Sequence, residues 1–197
     1  MIDTGFANKR TGLMQDLTAD GCKPGTLRLI LLTHGDGDHA GNAAYLRQQF
    51  GAKIALHPAD LGMVERGDMG WNRKPKPDYV AFLFRVILFL FGKHIELDLF
   101  KPDILLSDGQ SLSDYGLDAT VVHLPGHSLG SVGVLTAAGD LFCGDLVWNM
   151  MRPGFHFIDD MPAAKASVSK LNGLGVKTIY PGHGKPFPIE KLFTDLP

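Results

Sequence analysis

Ten residues constrain this chain more than any others: Thr33-His34-Gly35-Asp36-Gly37-Asp38-His39-Ala40-Gly41-Asn42. His34, Asp36, Asp38 and His39 place four metal-binding side chains within six positions, with glycine between the first three. The apolar run at 27–32 leads straight into them and reads as a buried strand. A rigid strand that ends in a glycine-spaced loop can aim several side chains at one point. A fold that serves this segment must therefore end a buried strand at a cleft.

The remaining residues supply elements for such a fold. Residues 40–50 predict a helix with Ala43, Leu46 and Phe50 on one face and Gly51 as its stop. A strand follows at 53–56, then a short helix at 59–66 and a polar loop at 67–78. The stretch at 79–91 is nearly all apolar, with Arg85 inside it. It is too short to span a bilayer, and three readings stand: a packed helix, an apolar wall or lid over a pocket, or a contact with a membrane surface or partner. Residues 103–106 and 110–112 read as strands flanking the turn Ser107-Asp108-Gly109. Strands are expected at 119–124, 131–136 and 140–143, the last two joined by a turn at Ala138-Gly139. A helix at 161–171 ends near Gly173 and Gly175, and a strand at 176–180 leads into Pro181-Gly182-His183-Gly184. Strand–helix alternation, a run of hairpin strands, and a return to helix and strand together predict sheets layered with helices, in one domain spanning 1–197.

Bulk properties narrow the function classes. The net charge of −2 gives no electrostatic case for nucleic acid or an anionic membrane. Cys22 and Cys143 form neither a metal-type spacing nor a disulfide framework. The start, Met1-Ile2-Asp3-Thr4-Gly5, lacks the basic and apolar stretches of a secretory signal, so a cytoplasmic location is expected.

Three later segments carry the same kind of side chain at the end of a strand. They are Pro125-Gly126-His127-Ser128, Cys143-Gly144-Asp145-Leu146 and Pro181-Gly182-His183-Gly184. Imidazole and carboxylate ligands together suit zinc, iron or manganese. Seven such ligands fit two metal ions with one carboxylate shared, and a water between the ions would lose its proton near neutral pH and act as a nucleophile. His123, four residues before His127 on a strand, reads as a packed or supporting histidine, and His57, His94 and His156 have no motif around them. Arg73, Lys74, Lys76 and Arg85 could serve an anionic substrate group but read first as solvated charges.

These motifs, in this order, resemble the metallo-β-lactamase superfamily of metal-dependent hydrolases. The resemblance runs from Asp3 to about His183. It implies an αββα four-layer sandwich with the metals at one edge. One metal would take His34, Asp36 and His127, the other Asp38, His39 and His183, with Asp145 bridging and Asp3 orienting ligands from behind. The implied reaction is attack of a metal-bound hydroxide on an ester, thioester, lactone, amide or phosphoester, with Asp38 or Asp145 moving the proton. Zinc is the first expectation, with iron or manganese as alternatives. The chain departs from the usual His-x-His-x-Asp-His pattern at Asp36, which adds a negative charge, lowers the expected Lewis acidity and favours harder metals. The flavodiiron branch carries a carboxylate there, so a di-iron redox protein is the rival function, and a site with weak or no catalysis a third. No glutathione-binding signature stands out. The chain starts almost at the family's Asp-Thr-Gly segment, so the first strands of one sheet are expected to be missing: either the numbering begins at an internal start, or a partner chain covers the exposed edge, for which a homodimer is expected.

Overall fold

Strand pleat sorts the apolar side chains of this chain into three separate cores. The computed structural model describes residues 1–74 and 97–195. In the first sheet β1 (Leu29–Leu31), β2 (Lys53–Leu56) and β3 (Ile104–Leu105) run parallel in that order. Successive side chains of a strand point to opposite faces. Ile30, Leu32, Ile54 and Leu56 thus face one core with Leu46 and Phe50, while Leu29, Leu31 and Ala55 face another. Residues buried on both faces read as an unbroken apolar run, which is what 27–32 shows.

The second sheet has the order β4 (Ala119–His123), β5 (Val132–Thr136), β6 (Asp140–Gly144), β7 (Thr178–Pro181) and β8 (Phe187–Pro188). All its pairings are antiparallel except β6 with β7. Val121, Val132 and Val134 meet Leu29 and Leu31 in the core between the sheets. Val122, Leu141 and Ile179 point the other way, into a core closed by Ala164, Val168 and Leu192.

Helices cover both outer faces. Over the first sheet lie α1 (Arg10–Ala19), α2 (Gly37–Ala40), α3 (Ala43–Phe50) and α4 (Leu61–Arg66); over the second lie α5 (Met161–Lys170) and α6 (Glu190–Asp195). The architecture is the four-layer αββα sandwich. Asp160 caps α5 by accepting from Ala163 N at 3.2 Å, and Pro162 sits in the first turn, where its missing N–H costs nothing.

Three details depart from expectation. The segment 40–50 is two helices, broken at Gly41-Asn42, because Asn42 is used as a clamp. Its buried amide donates to the carbonyl oxygens of Thr4 and Phe6 at 2.8 and 2.9 Å and accepts from Arg10 Nε at 3.1 Å. The turn at 107–110 does not close a hairpin. It hands the chain from one sheet to the other: β3 pairs with β2, while Val121 N donates to Gln110 O and Ser111 bridges Thr120. Asp108 holds that crossing by accepting from His123 N at 2.7 Å and Lys170 Nζ at 2.6 Å. The helix α1 has no fully buried residue and meets the core through partly buried Leu13, Met14 and Leu17. Residues 1–3 run beside β1, with Leu31 N donating to Met1 O and Asp3 N to Leu31 O, both at 2.9 Å. Both cysteines are free. The apolar stretch 79–91, with Arg85 in it, and also Lys76 and His94, lie outside the described residues. Among the described residues no helix is long and apolar enough to cross a membrane.

Asn42→Ala would strand buried carbonyls of the Thr4–Phe6 segment. We expect a loss of about 2–3 kcal/mol of unfolding free energy, read as a lower urea midpoint at unchanged slope.

Candidate metal centre

All seven side chains singled out in the sequence converge at the ends of β1, β4, β6 and β7. They form two groups, Asp38, His39, Asp145 and His183, and His34, Asp36 and His127; within each the ligand atoms lie within 4.8 Å of one another. Asp145 stands between the groups, with Oδ2 at 3.4 Å from His183 Nε2 and 4.0 Å from His127 Nε2.

The histidines are aimed from behind. Asp3 accepts from Thr33 N and Thr33 Oγ1, both at 2.7 Å, and from His39 Nδ1 at 2.8 Å. The Thr33 hydroxyl hydrogen points to Asp3, so its oxygen accepts from His34 Nδ1–H at 3.0 Å. Each ring is thereby left with Nε2 facing the cluster, the tautomer a cation requires. His127 Nδ1 donates to Phe157 O at 3.1 Å, which does the same for the third ring.

The donor set fits divalent cations on observations internal to the site. His34 Nε2 and Asp145 Oδ1 are buried with no hydrogen-bond partner among the described residues. His127 Nε2 lies 2.9 Å from Asp36 Oδ2. Burial lowers the pKa of this imidazole, so it is neutral near pH 7, and its proton is on Nδ1. A lone pair then faces a carboxylate, an arrangement that a cation between them satisfies.

The charges are strongly biased. Burial alone would raise the Asp36 carboxyl, yet the neighbouring His127 and His34 rings and the Arg73 charge hold it well below the usual range. Burial opposes the charge on Asp38 too, but His183 and the charges of His39 and His34 lower it. Asp145 is lowered in the same way, His183 and His39 outweighing its burial. Burial would lower His39, yet Asp3 and Asp145 raise it well above its ordinary value. His183 is raised to about 9 by hydrogen bonds to Asp145 and Asp38.

Gly182 has to be glycine. A Cβ there would press on Asp145 Oδ1 and come within 2.7 Å of His39 Cε1. The other described histidines, His57, His123 and His156, are structural in geometry. His123 donates to Leu129 O at 2.9 Å and stacks on His57 at 4.3 Å, and His156 stacks on Trp148 at 5.4 Å.

Two site residues escaped the sequence reading. Asp60 is fully buried and ties the two loops that carry His34, Asp36 and His127. Its carboxyl accepts from Gly35 N at 3.2 Å, Ser128 Oγ at 2.7 Å and Gly130 N at 2.8 Å. Arg73, expected to be solvated, instead places Nη2 at 2.7 Å from both oxygens of Asp36. No spacing signal marks either one.

Comparison with known proteins agrees with this geometry. The family model described as the metallo-beta-lactamase superfamily matches residues 1–183. The chain belongs to the metallo-beta-lactamase superfamily. The human protein named acyl-coenzyme A thioesterase MBLAC2 is 29% identical over 215 residues, covering 98% of this chain and 71% of that protein. Hydroxyacylglutathione hydrolase GloC of Haemophilus influenzae is 32% identical over 127 residues, covering 62% of this chain and 50% of that protein. Among solved structures, TTHA1429 of Thermus thermophilus, a metallo-beta-lactamase family protein, superposes with TM-score 0.74 at 21% identity, over 98% of this chain and 67% of its own. TTHA1623, solved in a di-iron-bound form, gives TM-score 0.67 at 27% identity, over 100% and 87%. The superfamily and these relatives make this chain a metal-dependent hydrolase in the general sense.

Two outcomes follow, one from buried Asp60 and one from half-buried His183. Asp60→Asn keeps one acceptor oxygen and turns an amide donor on the rest. With its oxygen towards Gly35 and Ser128, the NH2 group faces Gly130 N; in the flipped orientation it faces Gly35 N and Ser128 Oγ, of which only the hydroxyl can turn away, to Ser131 Oγ at 2.8 Å. We expect a loss of about 3 kcal/mol in denaturant unfolding. For His183, whose folded pKa of about 9 exceeds its ordinary 6.5, the stabilising contribution with no cation bound is complete below pH 6.5 and fades as pH rises through about 9. Chelator-treated protein should therefore lose Tm over that interval, and His183→Asn should flatten the decline.

Proposed function

We propose that this chain hydrolyses acyl thioesters, with divalent cations held at two subsites. His34, Asp36 and His127 would hold one, and Asp38, His39 and His183 the other, with Asp145 shared. Bound there, such cations polarise a carbonyl oxygen and lower the pKa of water.

The observation that carries the substrate class is the apolar rim beside the cluster. The Trp148 ring lies 4.3 Å from the His183 ring and 5.1 Å from that of Phe157. Phe157 is 64% exposed and Met151 98% exposed, while the carbonyl of Phe157 holds His127. Large apolar side chains left in water next to a reactive cluster suit an apolar acyl group. On another side, a cavity of about 940 Å³ reaches Asp38, His39 and His183, with Lys9, Asn8 and Thr136 on its walls. A thioester has an arm on each side of its reacting carbon, and the cluster has room for both: the rim for the acyl group, the cavity for the carrier. The names of MBLAC2 and GloC, each an acyl group on a large carrier, point the same way.

The residues divide the work. Asp38 is 24% exposed at its side chain and Asp145 3%. Asp38 Oδ2 is the atom placed to take a proton from the attacking water and return it to the leaving thiolate, giving an acid and a thiol. Asp145 fixes His39 and His183. Trp148 and Phe157 exclude water from the acyl side.

A panel of acyl-coenzyme A and acylglutathione thioesters, lactones and phosphoesters, offered after separate reconstitution with zinc, manganese and iron, tests the reading. We expect thioester cleavage, with kcat/KM rising about three- to fourfold per added methylene until the rim is covered. Phe157→Ser should erase that gradient while leaving short-chain turnover intact. Cleavage confined to lactones or phosphoesters overturns the proposal. Iron is given weight by the di-iron form of TTHA1623, and stoichiometric iron with redox-sensitive absorption and no hydrolysis would favour the redox rival.

A further inference from the structure

The two subsites differ in a way that their ligand sets alone do not reveal. Around Asp38, His39, Asp145 and His183 stand two carboxylates and, among the described residues, no arginine or lysine is paired with either. Around His34, Asp36 and His127 there is one carboxylate, and it is already taken. Arg73 Nη2 donates to Asp36 Oδ1 and Oδ2 at 2.7 Å each, and His127 Nε2 lies 2.9 Å from Oδ2. Arg73 and Asp36 are both mostly buried, at 16% and 18% side-chain exposure, so solvent screens the pair little. Arg73 Nε is buried and has no partner among the described residues, so the guanidinium is held by Asp36 through one nitrogen. Asp36 also precedes α2 in extended conformation without capping it, and its carboxyl is committed to the cluster.

We propose that Arg73 competes with metal for Asp36 and so sets the order of filling. The Asp38–His39–Asp145–His183 subsite loads first and tightly. The Asp36 subsite loads second and weakly, because a cation there must displace the guanidinium or share the carboxylate with it. The first group offers a divalent ion two carboxylates with, among the described residues, no arginine or lysine on them, whereas Arg73 cancels the charge of Asp36 in the second. Arg73 is on this view a positioning residue, acting on the metal through Asp36. The inference rests on the two-subsite reading and not on the thioester substrate.

The test is a cobalt(II) titration of the chelator-stripped full chain, followed by calorimetry and by the visible absorption of the bound ion. Wild type should show two steps, the second at least about a hundredfold weaker. Arg73→Met keeps the aliphatic stem and removes the charge. It should tighten the second step about tenfold or more and leave the first, with its absorption band, unchanged. Arg73→Lys should stay close to wild type. In the Asp36→Asn background, Arg73→Met should have no further effect. The unchanged first step reports that the variants are folded. A second step that Arg73→Met moves by less than about twofold, or equal shifts in both steps, overturns the role of Arg73. A single one-ion step in both wild type and Arg73→Met overturns the two-subsite reading itself, whatever the enzyme cleaves.

Discussion

The site depends on one buried relay, from Asp3 through Thr33 to the rings of His34 and His39. Asp3 Oδ2 accepts hydrogen bonds from both Thr33 Oγ1 and His39 Nδ1, and the threonine oxygen in turn accepts one from His34 Nδ1. Three hydrogen bonds orient two imidazoles alike, each with Nε2 turned inward. The relay also joins two parts of the chain thirty or more residues apart, because Asp3 lies beside the end of β1 only while residues 1–3 run along that strand. Asn42 secures the next turn of the same segment through Thr4 and Phe6. The N-terminal residues thus aim the centre from behind as well as extending the sheet.

Rigidity behind this relay comes from the alternation within β1. Leu29 and Leu31 are locked into the core between the sheets, and Ile30 and Leu32 into the core under the helices. A strand held on both faces cannot slip by one residue without turning every side chain to the wrong layer. His34 therefore leaves β1 at a fixed height. The second sheet delivers His127, Asp145 and His183 from β4, β6 and β7 on the same principle. Asp60 locks the two sheets' loops together, its carboxyl bonded to Gly35 on one side and to Ser128 and Gly130 on the other.

What could be read from the sequence was local, and what could not was tertiary. The ligand residues were legible because each sits beside glycine just after an apolar run, and strand ends are where such side chains can converge. The layered architecture was legible in the same runs. The turn at 107–110 was misread because its residues fit a hairpin, and only packing shows that 109–112 pair with β4 instead of β3. The helix α1 left no trace because it contributes no fully buried residue. Asp60 and Arg73 were invisible as site residues for a plainer reason. Asp60 acts on Ser128, 68 residues away, and Arg73 on Asp36, 37 residues away, and neither stands in a motif.

Arg73 also alters the charge argument made from Asp36. Three carboxylates with four neutral histidines give ligands one charge more negative than the usual motif, which implied a weaker Lewis acid and a shift towards harder metals. With Arg73 against Asp36, the pair carries no net charge, as a neutral histidine would. The substitution therefore leaves the total charge of the centre where the usual motif has it, and changes its distribution instead. Among the described residues, the anionic ligands with no arginine or lysine on them are Asp38 and Asp145, while the subsite bounded by His34 and His127 has a carboxylate that is already engaged. Metal preference at such a centre is set separately for each subsite, by oxygen-rich chemistry at one and imidazole-rich chemistry at the other. The departure at Asp36 is thus a reason to expect two unequal positions, and it no longer argues by itself against zinc.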